Sequence, residues 1–282
     1  MTTMGMVGLG LLGHALASRL RAAGHAVIGY DVAPERRDAL VALGGIVAAD
    51  AGDVAKRSEA VCTVLPSLAA VEEVITALDG ARVIIQMSTI SPGLTERLAR
   101  LAAGRGQAFL DCPMSGTAGM VARGDGIIFV GGERDVYDRW RPVLEAMLPR
   151  AVHVGRTGQA MMLKLVANLL VGVHSAAAAE ALAMARRAGL DMDVAFDVLA
   201  SGAGSSRMLE VRGPMMLRDD FPAQMKLDLF MKDLHLIQDA AREVGASTPL
   251  TDVAERLYAA VQDSGHGGED LAAVVKALEN RR

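Results

Sequence analysis

The sequence predicts an α/β fold: a doubly wound parallel sheet followed by an all-helical region. Three observations carry this. Through about residue 155, short apolar runs alternate with amphipathic runs, the rhythm of βαβ units. The first unit places a glycine-rich turn between its strand and its helix. From about Thr157 onward the strand rhythm stops and long helical patterns take over. A length of 282 residues admits two ordinary domains, placed at 1–156 and 157–282.

The strand candidates are residues 4–8, 26–30, 60–65, 83–87, 108–110, 127–130 and 151–154. Each is a short apolar run of the kind a sheet buried on both faces requires. Helical patterns fill most gaps, at 34–43, 69–78, 92–103 and 134–147. The helical region reads as 159–188, 191–199, 224–244, 250–263 and 270–279, and Ser201-Gly202-Ala203-Gly204-Ser205 breaks the series.

The glycine turn is Gly8-Leu9-Gly10-Leu11-Leu12-Gly13. Gly8 permits a tight turn, Gly10 lets the backbone approach a pyrophosphate, and Gly13 lets helix and strand pack closely. The helix that follows offers N–H groups and a positive dipole end to phosphates. The next strand closes on Asp31, about twenty residues on, where a dinucleotide fold places a ribose-binding acid. Leu65-Pro66-Ser67 and Ser88-Thr89-Ile90-Ser91-Pro92 end later strands. They make Leu65, Pro66 and Thr89 candidates for the wall of the same cofactor channel. Ser91 suits helix N-capping before Pro92 equally well.

Composition excludes several function classes. Net charge is −4 and no basic stripe is present, which argues against nucleic acid. Cys62 and Cys112 form no metal pattern and no disulfide framework, which suits a reduced, cytoplasmic setting. The most apolar stretch, residues 160–173, is interrupted by polar side chains, so no membrane span is expected. Aromatics are only 3% of the chain, so aliphatic residues and 16 methionines must fill the core.

Lys164 stands out within that stretch. The run is nearly all apolar and predicts a helix buried on most sides. Its strongly polar residues, Lys164 and Asn168, share one face at i and i+4, and Ser175 returns to nearly that face. A lysine that snorkels to solvent is the ordinary reading of such a position. The apolar surround and the paired asparagine favour an ammonium that meets a substrate oxygen.

Asp111-Cys112-Pro113-Met114-Ser115-Gly116-Thr117 follows a strand, at the end where α/β folds bind ligands. The hydroxyls of Ser115 and Thr117, with N–H groups around Gly116, suit a carboxylate, although a structural Ser-Gly turn explains the same residues. Lys232-Asp233 lies within a helical pattern and reads as an exposed surface pair.

Together these segments resemble the β-hydroxyacid dehydrogenase family over nearly the whole chain. Residues 8–17 resemble its opening dinucleotide motif, and residues 111–117 its substrate-binding motif. Residues 158–168 resemble the segment bearing its catalytic lysine, which falls on Lys164, with the substrate-contacting asparagine on Asn168. Phe230-Met231-Lys232-Asp233-Leu234 is similar to its C-terminal motif, whose lysine reaches toward cofactor and substrate. Gly265-His266-Gly267-Gly268-Glu269-Asp270 resembles the terminal G-x-G-x-x-D. Two positions depart: Thr117 replaces a glycine, and Leu169 replaces a second asparagine seen in 3-hydroxyisobutyrate dehydrogenases.

The resemblance implies a Rossmann domain followed by a helical domain for substrate and oligomerisation. It implies an oxidoreductase using NAD, with NADP possible, on a small carboxylate-bearing β-hydroxy acid or its semialdehyde. Lys164 is then the general acid and base. Ser115, Gly116, Thr117, Asn168 and Lys232 bind substrate. Gly8, Leu9, Gly10, Leu11, Leu12, Gly13, Asp31, Leu65, Pro66, Thr89 and Lys232 bind cofactor. A homodimer or homotetramer is expected. Two rivals share the scaffold: an imine reductase, a group that usually lacks the lysine, and a catalytically silent dinucleotide-binding module.

Overall fold

The structure, a computed structural model, describes residues 1–279. It divides into two compact units, Met1–Lys164 and the chain from Leu165 onward.

The first unit runs β1 (Thr3–Val7), α1 (Leu11–Ala22), β2 (Ala26–Tyr30), α2 (Pro34–Ala42), β3 (Ile46–Val47), α3 (Ala51–Arg57), β4 (Ala60–Thr63), α4 (Leu68–Ala77), β5 (Val83–Gln86), α5 (Pro92–Gly104), β6 (Ala108–Asp111), β7 (Met114–Ser115), α6 (Ala118–Ala122), β8 (Ile127–Gly131), α7 (Arg134–Met147) and β9 (Ala151–Gly155). The strands form one sheet in the order β3-β2-β1-β4-β5-β6-β8-β7, with β9 beside β8. Pairing is parallel except where β8 meets β6 and β7. β1 lies between β2 and β4, so the strand order reverses beside it, and ligands of open α/β sheets bind at that point.

Alternation along the strands builds a core on each face. Met4 and Met6 of β1 pack with Leu16, Leu20, Leu144 and Met147. Val7 packs on the other face with Val54, Ile75, Ile84 and Leu98. Because both faces are covered, the strands read as unbroken apolar runs. β3 and β7 have two residues each, and α3 and α6 seven and five, too few for periodicity to reveal.

The helix α8 (Gln159–Arg187) begins in the first unit and continues into the second. It is followed by α9 (Met192–Ser201), α10 (Arg207–Arg218), α11 (Leu227–Glu243) and α12 (Pro249–Val261), then a π turn (Gln262–His266), a 3-10 turn (Leu271–Val275) and α13 (Lys276–Glu279). The sequence gives no warning of α10, because Gly213-Pro214 in its interior reads as a breaker. Ser206 caps it, accepting from Leu209 N at 3.1 Å. Residues 270–279 are not the single helix expected. The Asp270 carboxylate instead accepts from Ala272 N, Gln224 N, Met225 N and the buried Arg212 guanidinium, which pins a 3-10 turn there.

α8 is less enclosed than the sequence suggests. Leu163, Val166 and Leu170 form a stripe that is 39–50% exposed in the single chain. By length and composition alone α8 is apolar enough to cross a membrane, and 44% of its most apolar window is buried within the chain.

Candidate functional site

The glycine turn joins β1 to α1. Gly8 has φ +93°, a conformation side chains disfavour, and its N–H donates to the Tyr30 carbonyl at 3.0 Å. A Cβ on Gly13 would overlap the Gly8 carbonyl oxygen, so only glycine lets α1 start this close to the strand. Among the described residues no side chain caps α1 and no acid occupies its first turn. A pocket of about 300 Å³ opens there, lined by Leu9, Gly10, Leu11, His14 and Arg36 among others. The positive end of α1 thus faces open space, which suits a pyrophosphate. Leu9 is buried, Leu12 half-buried and Leu11 exposed at the turn.

Asp31 follows β2 and is buried at 6% exposure. Its Oδ2 accepts from Leu9 N at 2.8 Å and from Arg36 Nη1 at 3.3 Å, and its Oδ1 accepts from Ala33 N at 2.9 Å. Burial works against its charge. The Ala33 and Leu9 N–H groups and the Arg36 guanidinium outweigh burial and hold the carboxyl below its ordinary range. Oδ1 keeps a lone pair for a ribose hydroxyl. Arg37 lies behind, donating to the Asp31 carbonyl at 2.8 Å and set over the Tyr30 ring. This open helix end and charged acid fit an NAD(P) cofactor.

The loops after β4 and β5 meet. Ser88 Oγ accepts from Leu65 N at 2.8 Å, and the Gln86 side-chain amide bonds both N and O of Ser88. Ser88 is therefore a tie between the loops that carry Leu65, Pro66 and Thr89. Ser91 caps α5, accepting from Leu94 N at 3.2 Å.

In the segment after β6, Ser115 ends β7, Gly116 follows, and Thr117 caps α6, its Oγ accepting from Met120 N at 3.3 Å. A hydroxyl used as an acceptor keeps its proton to donate. All three residues are half-buried. Asp111 is fully buried, and its Oδ2 accepts from Gly158 N at 3.1 Å and Met161 N at 3.0 Å.

Lys164 is half-buried on α8. One turn on, Asn168 is 4% exposed and its Nδ2 donates to Asp233 Oδ2 at 2.7 Å. Lys232 Nζ lies 3.0 Å from Asp233 Oδ1. The expectation of an exposed Lys232-Asp233 pair therefore fails for Asp233, which is 2% exposed. The sequence did carry a signal. Phe230, Asp233, Leu234 and Ile237 fall at i, i+3, i+4 and i+7, the buried stripe of α11. Among the described residues no group of three or more His, Cys, Asp or Glu is placed to hold a metal.

The chain is similar along its length to known NAD(P)-dependent dehydrogenases. Residues 3–155 match the NAD binding domain of 6-phosphogluconate dehydrogenase. Residues 158–278 match the NAD-binding region of NADP-dependent 3-hydroxyisobutyrate dehydrogenase. L-threonate dehydrogenase of Cupriavidus necator is 34% identical over 281 residues, 97% of this chain and 95% of its own. The solved 3-hydroxyisobutyrate dehydrogenase of Mycobacterium tuberculosis with L-serine has a TM-score of 0.90 at 32% identity, covering 99% of each chain. Psf3 in complex with NADP+ and 2-OPP has a TM-score of 0.88 at 25% identity, covering 98% of this chain and 99% of its own.

Proposed function

This chain belongs to the β-hydroxyacid dehydrogenase family and is an NAD(P)-dependent dehydrogenase, and we propose that it acts on a small β-hydroxy acid or its semialdehyde with Lys164 as general acid and base. The observation that carries this reading is Lys164 and Asn168 one turn apart on α8, with Asn168 held by a buried carboxylate. The relatives named for threonate and 3-hydroxyisobutyrate support the substrate class.

When bound, a nicotinamide cofactor would supply the hydride-transfer chemistry. In the reductive direction the Lys164 ammonium gives its proton to the substrate oxygen as that oxygen gains charge. In the oxidative direction the Lys164 amine takes the hydroxyl proton. Asn168 spends its amide on Asp233, so its Oδ1 is left to accept from a substrate hydroxyl. Lys232, steadied by the same carboxylate, is assigned to binding substrate and cofactor in this reading. The Ser115 and Thr117 hydroxyls and the backbone at Gly116 hold the substrate carboxylate.

Residues 8–13, Asp31, Leu65, Pro66 and Thr89 hold the cofactor, within a binding domain taken as 1–156. Asp31 is charged and would repel a 2′-phosphate, which favours NAD(H) over NADP(H). The exposed Leu163, Val166 and Leu170 stripe supports assembly of copies into a homodimer or homotetramer. The two buried free cysteines suit a cytoplasmic setting.

The test is turnover with NAD and NADH against a panel of small hydroxy acids, semialdehydes and cyclic imines, with amides or methyl esters of each acid that reacts. The expected result is turnover of a hydroxy acid or semialdehyde, with kcat/KM falling at least about tenfold when the carboxylate is neutralised, the scale of one charged hydrogen bond. Neutral analogues that react equally well would refute the Ser115–Thr117 role. Reduction of cyclic imines alone would refute the reaction class.

A further inference from the structure

We propose that Asp111 is a positioning residue for Lys164, because its carboxylate supplies, from the end of β6, the N-terminal cap that α8 lacks in its own sequence. The proposal rests on the reading of Lys164 as the proton donor and acceptor.

Helices usually take their cap from the residue just before them. In this chain Asp50, Ser67, Ser91, Thr117, Asp191 and Ser206 do so, each accepting from an N–H of its own helix. α8 is preceded by Gly158, which has no side chain to offer. Its acceptor comes from 47 residues earlier: Asp111 Oδ2 takes the N–H of Gly158 at 3.1 Å and of Met161 at 3.0 Å. Both belong to the turn that opens α8, and Lys164 lies less than one turn beyond Met161.

The surroundings are shaped for this reach. Asp111 pairs with Gly131 across β6 and β8. A Cβ on Gly131 would lie 3.2 Å from Asp111 Oδ2, 2.8 Å from the Arg156 carbonyl oxygen and 3.3 Å from Ala160 Cβ. Glycine there leaves the gap through which the carboxylate meets the helix. Ala160 and Met161 are fully buried, so water does not reach their N–H groups.

Asp111 therefore touches both halves of the chemistry. Its backbone runs directly through Cys112 and Pro113 into β7, which ends at Ser115. Its side chain holds the turn that leads to Lys164. One residue fixes how far the carboxylate-binding segment stands from the proton donor. This cap is expensive: the carboxylate is fully buried, and among the described residues its Oδ1 has no hydrogen-bond partner. A device for stability alone gains little from such a group, whereas a device for position accepts the cost.

The experiment is a double-mutant cycle on Asp111→Ala, Asp111→Asn, Lys164→Ala and Asp111→Ala/Lys164→Ala. It reads kcat, KM, NADH affinity by fluorescence titration, and amide exchange over residues 158–164. Asp111→Ala is expected to lower kcat by about 10- to 100-fold, the scale of a misplaced catalytic group, with NADH affinity unchanged and faster exchange in that segment. Asp111→Asn is isosteric and still accepts both N–H groups, so it should keep kcat within about threefold and retain native exchange. In the Lys164→Ala background, Asp111→Ala should cost nothing further, because residues acting as a unit are not additive. An equal loss in both backgrounds would overturn the proposal, as would a folded Asp111→Ala enzyme with wild-type kcat. If Asp111→Ala does not fold, folded Asp111→Asn decides: a kcat loss beyond about tenfold there excludes the capping role. An unimpaired Lys164→Ala enzyme overturns the Lys164 reading and this proposal together. An impaired Lys164→Ala beside an unimpaired Asp111→Ala overturns this proposal alone.

Discussion

The side-chain amide of Asn168 donates to the carboxylate of Asp233 at 2.7 Å, inside the helical unit and out of reach of solvent. A carboxylate accepts only, so the bond fixes the amide's orientation and turns its oxygen the other way. The same carboxylate holds Lys232 at 3.0 Å. One buried acid thus sets two polar side chains on different helices.

Asp233→Ala should therefore release both. A buried hydrogen-bonding group left without its partner costs about 1–3 kcal/mol, which sets the expected loss in kcat/KM at roughly 5- to 150-fold. Steady-state kinetics beside a thermal melt check it. Unchanged kcat/KM in a folded variant would detach Asp233 from the site.

Asp31→Ser should raise the ratio of kcat/KM for NADPH over NADH by at least about tenfold, since it removes the charge that repels a 2′-phosphate and leaves Arg36 beside it. The preference of the unmodified enzyme should be flat from about pH 6 to 9, because the Asp31 pKa lies below its ordinary carboxylate value. The stability that this lowered pKa contributes is present above the unfolded-state value. It is lost as pH falls through the lower folded-state value. A clear NADPH preference in the unmodified enzyme would contradict the Asp31 assignment.

The sign is opposite at Asp111. Burial pushes its carboxyl up from 3.8 to about 7, against the two N–H groups that favour the charge. A raised folded-state pKa contributes stability below the unfolded value. That stability is lost progressively as pH rises from about 4 to about 7. Thermal melts should show the wild-type Tm falling relative to Asp111→Asn across this window, by an amount worth up to about 4 kcal/mol at 1.36 kcal/mol per unit. Parallel Tm-pH curves for the two proteins would contradict it.

Much of this was legible in the residues. The strands β1, β2, β4, β5, β6, β8 and β9 announce themselves because a sheet covered on both faces needs unbroken apolar runs. The glycine turn does so because Gly8 and Gly13 answer steric demands that only glycine meets. The two-residue strands and α10 stayed hidden, the first through brevity and the second behind Gly213-Pro214. Lys164 and Asn168 stood out as polar residues in an apolar run. The burial of Asp233 was readable from its place on the apolar stripe of α11, but the contacts of Asp233 and Asp111 were not, because their partners lie 65 and 47–50 residues away and local spacing does not encode such contacts.

The central claim is the proton transfer assigned to Lys164, and single-turnover kinetics of Lys164→Ala test it most directly. The account predicts unchanged NADH affinity and a kcat lower by about 10²- to 10⁴-fold, the usual worth of a positioned acid–base group. It also predicts no recovery in Lys164→Arg, because a guanidinium keeps its proton near neutral pH. A Lys164→Ala enzyme that keeps more than about a tenth of wild-type kcat, above what loss of such a group allows, would contradict the account and shift attention to Lys232.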